Sequence, residues 1–478
     1  MPQVDQVIVA GAGVAGMATA LMLARVGRRV LLVERDEDMP DGGADQALVA
    51  RRPGVPHFNQ PHAFLPRGFA LLRDRLPDVL ACLRGLGAIE VDIAPASGEP
   101  DRGDEDMIFL GVRRPLIEWA LRRAVRAEPN IELHFARIDG LLLDAGAPPA
   151  LLGFSAAGQT LAGTLVIDAM GRMSPTRRWL AEHGVEVATE ASDVGIVYYS
   201  RYYRLLDGVS MPPSPSPFGP RADLGFASAA TFLGDNRTYA IVVMVPAWDS
   251  ELKIVRRAGV FDAFCRASPA LAPLVDEQRA QALTEVLPMG ALQTVWNSFD
   301  REPVRRLIAV GDSLCHTDPS FALGICNALI QGAALADIVA THEDGDISQA
   351  FHACVREELR ERFEFARDVA AARVDRMRGL PIALSRSGCY PLYALMASLG
   401  TATLDSQVHR MAYRRHGFLD RLGRFDNDEA MQSRVEALFP QVLARMRDAP
   451  RVDRAELLQM LGAADRTWPR ADAPTYAD

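Results

Sequence analysis

The chain has 478 residues, a formal net charge of −9 and hydrophobic residues at 49% of its positions. This length and composition predict a large globular protein with an extensive core. The acidic balance, without a basic stripe interleaved with aromatic residues, excludes the usual pattern of a nucleic-acid-binding protein. The six cysteines form no CxxC pair and show no metal-ligand spacing with histidine, so we expect no metal site and a reducing, cytoplasmic location.

The first predicted unit, over residues 7–34, is a strand, a glycine-rich turn, an apolar helix and a second strand. Gly11 permits the tight turn, Gly13 lets the backbone approach a pyrophosphate, and Gly16 lets helix and strand pack closely. Glu34 ends the second strand, where a carboxylate accepts hydrogen bonds from a ribose diol. The unit is the dinucleotide-binding fingerprint in its βαβ context. The residues of the predicted turn are Gly11, Gly13, Ala15 and Gly16.

FAD is the predicted dinucleotide. The fingerprint lies at the start of the chain, as in many flavoproteins, and no second GxGxxG follows to mark a separate nicotinamide domain. A protein that binds the 2′-phosphate of NADP would prefer an arginine where Glu34 stands, although Arg35 follows directly. Glu34 and Arg35 are therefore both predicted as cofactor-binding residues.

The composition divides the chain into four segments. Residues 1–185 are predicted as the first part of a Rossmann-like FAD-binding domain, with a substrate-side loop near 54–110. Residues 186–300 are rich in β-branched and aromatic residues and predict a β-sheet substrate domain. The first domain is expected to resume over 301–345, and a helical region to follow over 346–478.

Three later segments carry further cofactor signals. Arg114 opens the predicted helix RPLIEWALR, with proline at an allowed first-turn position. The buried strand LVID ends on Asp168, and Gly171 follows in a turn. Another buried strand, LIAV, delivers Gly311 and Asp312 to its carboxyl end, where ligands of open α/β sheets bind. The Asp312 carboxylate can accept hydrogen bonds from ribityl hydroxyls.

A helix predicted to begin near Gly324 would direct its N-terminus at the pyrimidine ring of the flavin. Its dipole stabilises negative charge near N1 and C2=O of a reduced flavin. Gly324 is thus predicted as a catalytic and a cofactor-binding position, with Ile325 beside it. His62 is a candidate catalytic residue of the pocket, in a loop placed to cross the flavin, and His316 is a second candidate. A structural role is the alternative for both histidines.

These motifs together resemble the group A flavoprotein monooxygenases, which share the fold of p-hydroxybenzoate hydroxylase. Within that class the chain is most similar to bacterial epoxidase-like FAD-dependent oxidoreductases. The resemblance covers roughly residues 4–345 and implies an α/β fold, in which a GR2-type Rossmann-like FAD-binding domain is interleaved with a β-sheet substrate domain and followed by a helical C-terminal region. It rests on AGAGVAG, GVPHFNQPHAFLPRG, RRPLIEWALR, LVIDAMGRMSP, DNRTYAIVVMVP and VGDSLCHTDPSFALGI. The family loop reads Pro-x-x-Gly-x-Gly, whereas Ala322 replaces its first glycine here.

The resemblance implies an FAD-dependent monooxygenase in which Arg114 contacts the flavin pyrophosphate. It would insert one oxygen atom, by hydroxylation or epoxidation, into an apolar, natural-product-like substrate through a flavin C4a-hydroperoxide. Its partners would be O₂, the small apolar substrate, and either transiently bound NAD(P)H or reduced flavin from a partner reductase. No signal peptide precedes the first strand and no uninterrupted apolar run reaches membrane-spanning length, so no membrane association is expected.

Three alternatives remain at this point. One is an FAD-dependent reductase or dehydrogenase similar to geranylgeranyl reductases, and another is a non-catalytic flavoprotein. The third is a flavin-dependent halogenase, which requires a lysine between flavin and substrate, whereas the single lysine is Lys253 in a charged stretch. The apolar segment 379–404 could pack onto the core, cover the substrate, contact a second subunit in a homodimer or lie on a membrane surface.

Overall fold

The computed structural model describes residues 6–39, 44–214, 216–299, 301, 303–342, 347–380, 399–423, 428–448 and 452–467. The described residues form two compact units. The first unit is drawn from Met1–Val194, Gln293–Ala371 and Ala383–Val442, and the second from Gly195–Leu292, Ala372–Ile382 and Leu443–Asp478. The main segment of the second unit begins nine residues after the boundary expected at 186 and ends eight residues before the one expected at 300, and the unit also takes part of the C-terminal region.

The helices of the described residues are α1 (Val14–Arg25), α2 (Ala44–Val49), α3 (Pro66–Arg75), α4 (Pro77–Gly85), α5 (Arg114–Ala127), α6 (Thr176–Glu182), α7 (Ala258–Arg266), α8 (Leu323–Thr341), α9 (Ile347–Met377), α10 (Ser406–His416), α11 (Glu429–Asp448) and α12 (Arg454–Thr467). The strands are β1 (Val7–Ala10), β2 (Val30–Glu34), β3 (Ala63–Phe64), β4 (Ile89–Asp92), β5 (Ile108–Gly111), β6 (Ile131–Phe135), β7 (Ile138–Leu143), β8 (Leu151–Ala156), β9 (Gln159–Ala162), β10 (Leu165–Asp168), β11 (Thr189–Asp193), β12 (Ile196–Leu205), β13 (Arg221–Asp223), β14 (Ser228–Leu233), β15 (Thr238–Pro246), β16 (Ala280–Ala282), β17 (Leu287–Met289), β18 (Gln293–Asn297), β19 (Leu307–Ala309) and β20 (Cys315–His316).

A parallel five-stranded sheet, in the order β19-β10-β1-β2-β6, forms the centre of the first unit. Strands β1, β2, β10 and β19 are buried at every position, as expected for parallel strands covered on both faces. Helix α1 packs against β1 and β2 and against α5 and α8. Ala10, Asp168 and Ala309 stand side by side in the register of β1, β10 and β19. Three turns therefore leave the sheet at one edge, where ligands of parallel sheets bind.

The second unit is built on an antiparallel sheet in the order β13-β14-β15-β12-β16, with β17 also paired to β12. Tyr199 and Tyr203 on β12 lie in its hydrophobic core together with residues of helix α7. The predicted α/β class is confirmed: a parallel-sheet domain is interrupted in sequence by a β-sheet domain and followed by a helical region.

Among the described residues, helix α8 is long and apolar enough to cross a membrane, but 78% of its most apolar window is buried inside the protein, as in a core helix. Residues 381–398, the larger part of the segment 379–404, lie outside the described residues. The alternatives for that segment therefore remain predictions.

Candidate functional site

The glycine-rich turn between β1 and α1 is tightly enclosed on its protein side. Gly11 has a φ of +99°, and a Cβ there would lie 2.6 Å from the carbonyl oxygen of Ala169. A Cβ at Gly16 would lie 1.8 Å from the carbonyl oxygen of Gly11. Gly13 differs, since a Cβ there would meet no atom within 4 Å. No side chain caps the N-terminus of α1, so its first N–H groups are free for an anion on the open side of Gly13.

Ala15 and Gly311 lie where the turn after β1 packs against the turn after β19. Gly311 has a φ of +63°, and a Cβ there would lie 2.6 Å from the Cβ of Ala15. The Gly311 N–H donates to Oε1 of Gln331 in α8 at 2.5 Å. Two residues predicted to contact the cofactor thus also make the close packing of α1, α8 and the end of β19 possible.

Glu34 lies at the end of β2 with its carboxylate buried. Oε2 accepts hydrogen bonds from the Ala12 N–H at 3.1 Å and from Arg52 at 2.7 Å. Oε1 accepts from the backbone N–H groups of Arg35 and Asp36 at 2.7 and 3.0 Å. The carboxylate therefore lies against the fingerprint turn. The Arg35 side chain is 52% exposed, with Nε 4.0 Å from Asp36, and belongs to the rim of this region.

Arg52, which no sequence motif includes, is the centre of a buried ionic cluster. Its guanidinium pairs with Glu34 at 2.7 Å, Asp36 at 3.1 Å and Glu118 at 2.6 Å, and its side chain is 1% exposed. Burial and these carboxylates act on it in opposite senses, and the pKa of Arg52 is raised overall. Removal of one member would leave uncompensated charge in the interior, which is strongly destabilising.

Arg114, at the first position of α5, is held by two acceptors. Its Nε donates to Oε1 of Glu118 at 2.8 Å, and its Nη1 lies 3.1 Å from Nε2 of His62. Nδ1 of His62 lies 2.8 Å from the carbonyl oxygen of Gln60 and must donate to it. Nε2 of His62 is then the acceptor, so the ring is neutral. Burial and the neighbouring Arg114 lower the pKa of His62 to about 3.

The pKa of His62 predicts a pH-dependent stability. The unfolded chain takes up a proton near pH 6.5 that the folded chain does not take up until about pH 3. The contribution of His62 to the free energy of unfolding is therefore full above pH 6.5 and falls as the pH is lowered towards 3. Between pH 7 and pH 4.5, we expect the free energy of unfolding of His62→Gln to fall by about 2 kcal/mol less than that of the native protein. Urea unfolding of both proteins across this range measures it, and parallel curves would contradict it.

Asp168 joins the turn after β10 to the turn after β19 through hydrogen bonds. Its Oδ1 accepts from the Met170 N–H at 2.9 Å and from Ser313 Oγ at 3.0 Å, and its Oδ2 accepts from Ser174 Oγ at 2.6 Å. The Gly171 N–H in turn donates to Ser313 Oγ at 2.9 Å. Burial raises the pKa of Asp168 in spite of these donors. Asp168 and Gly171 thus shape the site, with the carboxylate turned into the protein.

Asp312 has a different environment. It is half-buried, and its carboxylate has no hydrogen-bond partner among the residues that the structure describes. Its carbonyl oxygen accepts from Nδ1 of His316 at 3.2 Å, which places that candidate histidine beside it. The carboxylate is thus available to a ligand at the edge of the sheet.

Asp312→Ala is expected to weaken FAD binding by about tenfold to a hundredfold, since a charge-assisted hydrogen bond contributes about 1.5–3 kcal/mol. The measurement is fluorescence titration of the apoprotein with FAD. Asp337→Ala is the matched control, because Asp337 is an exposed residue of α8 that pairs with Arg75 at the surface. Equal FAD affinity of the Asp312 variant and the control would refute the assignment.

Helix α8 begins without a side-chain cap. Ala322 precedes it in the left-handed region, with φ 56° and ψ 26°, so alanine adopts here the conformation that a glycine adopts at lower cost. Gly324 is exposed, and a Cβ there would meet no atom within 4 Å. The Ile325 side chain is buried, so only its backbone can serve a ligand. The helix start therefore presents free N–H groups and a positive dipole end to open space.

Sequence reasoning missed two further residues. Arg122 is fully buried, its Nη2 lies 3.4 Å from the Ala12 carbonyl oxygen, and its Nε has no hydrogen-bond partner in the described part of the chain. Nδ1 of His57 is also buried without such a partner, and burial and the charge of Arg114 lower the pKa of His57 well below its usual value. Unpaired buried donors of this kind fit a site completed by a ligand. The sequence feature that could have identified Arg122 is its spacing of four residues from Glu118, which places both on one face of α5.

Residues 6–44 match the FAD binding domain family FAD_binding_2, a stretch that contains the fingerprint and Glu34. Among solved structures the chain is similar to PqsL, a probable FAD-dependent monooxygenase from Pseudomonas aeruginosa, with 18% identity, coverage of 78% of this chain and 97% of that one, and a TM-score of 0.57. It is also similar to p-nitrophenol 4-monooxygenase PnpA from Pseudomonas putida DLL-E4, with 17% identity, coverage of 88% and 100%, and a TM-score of 0.58. The flavin-dependent brominase Bmp2 matches with 16% identity, coverage of 91% and 99%, and a TM-score of 0.61. No curated protein matches the chain.

These similarities show that the chain has the same fold as these flavin-dependent enzymes, which is the fold that the sequence predicted. The FAD-binding domain and this fold together support the class of an FAD-dependent oxidoreductase. The geometry agrees with a dinucleotide, because the glycine-rich turn, Glu34 and the uncapped start of α1 lie at the carboxyl edge of one parallel sheet.

Proposed function

We propose that this protein is an FAD-dependent monooxygenase that inserts one oxygen atom, by hydroxylation or epoxidation, into an apolar, natural-product-like substrate. The observation that carries the proposal is the uncapped start of helix α8, the helix that packs against the turn after β19. A helix start in this position stabilises negative charge, which is what a reduced flavin needs as it reacts with O₂.

In this proposal, different residues of the first unit bind different parts of FAD. The N–H groups at the start of α1 and the Arg114 guanidinium bind the pyrophosphate, Glu34 binds the ribose, and Asp312 binds the ribityl chain. Bound FAD supplies the redox chemistry: with two electrons from the reductant, one atom of O₂ enters the product and the other leaves as water. The second unit, with its antiparallel sheet, is the substrate domain.

The reductant is NAD(P)H, bound transiently, or a reduced flavin delivered by a partner reductase. The absence of a second GxGxxG fits both sources. We place the protein in the cytoplasm, a proposal that the free thiols of the described cysteines support. The aromatic, apolar strands that the sequence predicts over residues 186–300 favour an apolar substrate over a strongly charged one.

A reductase or dehydrogenase is the second candidate. The observation that favours it is Ala322, since its Cβ stands at a loop position where the monooxygenase motif has glycine. A halogenase is less well supported, because Lys253 lies in a 3₁₀ helix of the second unit, outside the FAD-binding unit.

Turnover under ¹⁸O₂ decides between these functions. Candidate apolar substrates are incubated with the FAD-loaded enzyme and NADPH, and the product is analysed by mass spectrometry. We expect a product that carries one ¹⁸O atom and forms only in the presence of oxygen. Product formed equally well without oxygen would establish the reductase, and a halogenated product in the presence of bromide or chloride would establish the halogenase.

A further inference from the structure

The His62 ring is held by hydrogen bonds at both of its nitrogens. Its two ring nitrogens are both engaged: Nδ1 donates to the Gln60 carbonyl oxygen at 2.8 Å, and Nε2 accepts from Arg114 at 3.1 Å. A ring used in this way has no free nitrogen with which to take a proton from a substrate or give one to it. The residue that the sequence suggested as a catalytic group is thus engaged as a hydrogen-bond acceptor.

Arg114 is held on its other side by Glu118. Oε1 of Glu118 accepts from Nε of Arg114 at 2.8 Å, and Oε2 accepts from Arg52 at 2.6 Å. The side chain of Glu118 is completely buried and that of Arg52 is 1% exposed, so the packing around Glu118 fixes the acceptor of the Arg114 Nε. The other N–H groups of Arg114 make no hydrogen bond to a described residue, which leaves the outer part of the guanidinium for a ligand.

We propose that His62 is a positioning residue: as a neutral acceptor it holds the Arg114 guanidinium, together with Glu118, in the orientation that binds the pyrophosphate of FAD. The proposal rests on the proposed function, which assigns Arg114 to the cofactor. A planar guanidinium recognises phosphate oxygens through a fixed fork of donors, so its orientation decides its affinity. Without an acceptor at Nε2, rotation about the Arg114 side chain competes with binding.

Two amide substitutions separate the bonds of His62. Asn places its amide near the position of Nδ1, so His62→Asn keeps the contact with Gln60 and loses Arg114. Gln reaches the position of Nε2, so His62→Gln keeps an acceptor for Arg114. His183→Leu is the matched control, because Nδ1 of His183 also lies 2.8 Å from a backbone carbonyl oxygen, that of Trp179, in the same unit.

The affinity of each apoprotein for FAD is measured by fluorescence titration at pH 7. We expect His62→Asn to weaken binding about tenfold, His62→Gln to stay within about threefold of the native value, and His183→Leu to leave it unchanged. Arg114→Gln should weaken binding at least as much as His62→Asn. Native affinity in His62→Asn together with weak binding in Arg114→Gln overturns the positioning role. Native affinity in Arg114→Gln refutes instead the assignment of Arg114 to FAD.

A second measurement separates positioning from proton transfer. The FAD-loaded proteins are reduced with dithionite, and the rate of flavin reoxidation by O₂ is followed from pH 5 to pH 8. We expect the native protein and His62→Gln to show the same pH profile, because His62 stays neutral in this range. A step in the native profile that disappears in His62→Gln would show that His62 exchanges protons, and would overturn the proposal.

Discussion

Gly16→Ala is expected to remove most FAD binding and to destabilise the first unit by about 3 kcal/mol or more. A Cβ at this position would lie 1.8 Å from the Gly11 carbonyl oxygen, and that oxygen belongs to backbone that cannot move without shifting β1 against α1. The loss of stability comes from a steric clash inside the protein, so it should appear in the apoprotein as well as in the FAD complex. Thermal unfolding with and without FAD measures both effects.

Two other glycines make this prediction specific. Gly13→Ala should leave the unfolding temperature of the apoprotein nearly unchanged and yet weaken FAD binding, since its Cβ meets only the open space where the pyrophosphate would lie. Gly85→Ala, in helix α4, should change neither property adversely, because a Cβ there also meets no atom within 4 Å. If the Gly16→Ala apoprotein unfolded at the same temperature as the native apoprotein, the turn would be looser than described.

The second large effect is expected at Asp168. Asp168→Ala leaves the Met170 N–H and the hydroxyls of Ser174 and Ser313 without their common acceptor. Unsatisfied buried donors cost about 1–3 kcal/mol each, and relief from burying a carboxylate offsets part of this, so we expect a loss of about 2–4 kcal/mol. The turn that contains Gly171 should loosen, and FAD affinity should fall with it.

Asp168→Asn is the matched variant. It retains an acceptor for Met170 and Ser313 without the cost of a buried charge, so its stability should stay within about 1 kcal/mol of the native protein. Urea unfolding at pH 7 compares the three proteins, and limited proteolysis reports on the turn. Equal destabilisation by the alanine and asparagine substitutions would mean that the negative charge, rather than the hydrogen bonds, holds the turns together.

The fingerprint region could be predicted from sequence because all its parts lie within one continuous βαβ unit. Strand, turn and helix are set by local rules, and the spacing from Gly11 to Glu34 is the length of one helix and one strand. Asp168 and Asp312 were predictable for a related reason. Asp168 ends one buried apolar strand and Asp312 lies three residues beyond another, and parallel strands bring their carboxyl ends to one edge of the sheet.

The direction of each side chain was beyond such rules. Asp168 and Asp312 follow buried strands in the same way in sequence. The Asp168 carboxylate accepts from Ser174 and Ser313, whereas the half-buried Asp312 carboxylate has no hydrogen-bond partner among the described residues. The difference depends on what packs against each turn. Ser313 comes from a strand–turn segment 145 residues away, a contact that no local pattern encodes.

The sequence by itself determined the class of fold, the FAD-binding βαβ unit and the edge of the sheet where the candidate cofactor residues lie, because these follow from periodicity and from turns within short segments. Only the tertiary structure decided that Arg52 joins Glu34 to Glu118 and that His62 and Glu118 together hold Arg114. These partners lie between 4 and 66 residues apart along the chain, and most come from different elements. A buried charge is tolerated only where the folded chain supplies its partners, so its role is defined by packing rather than by local sequence.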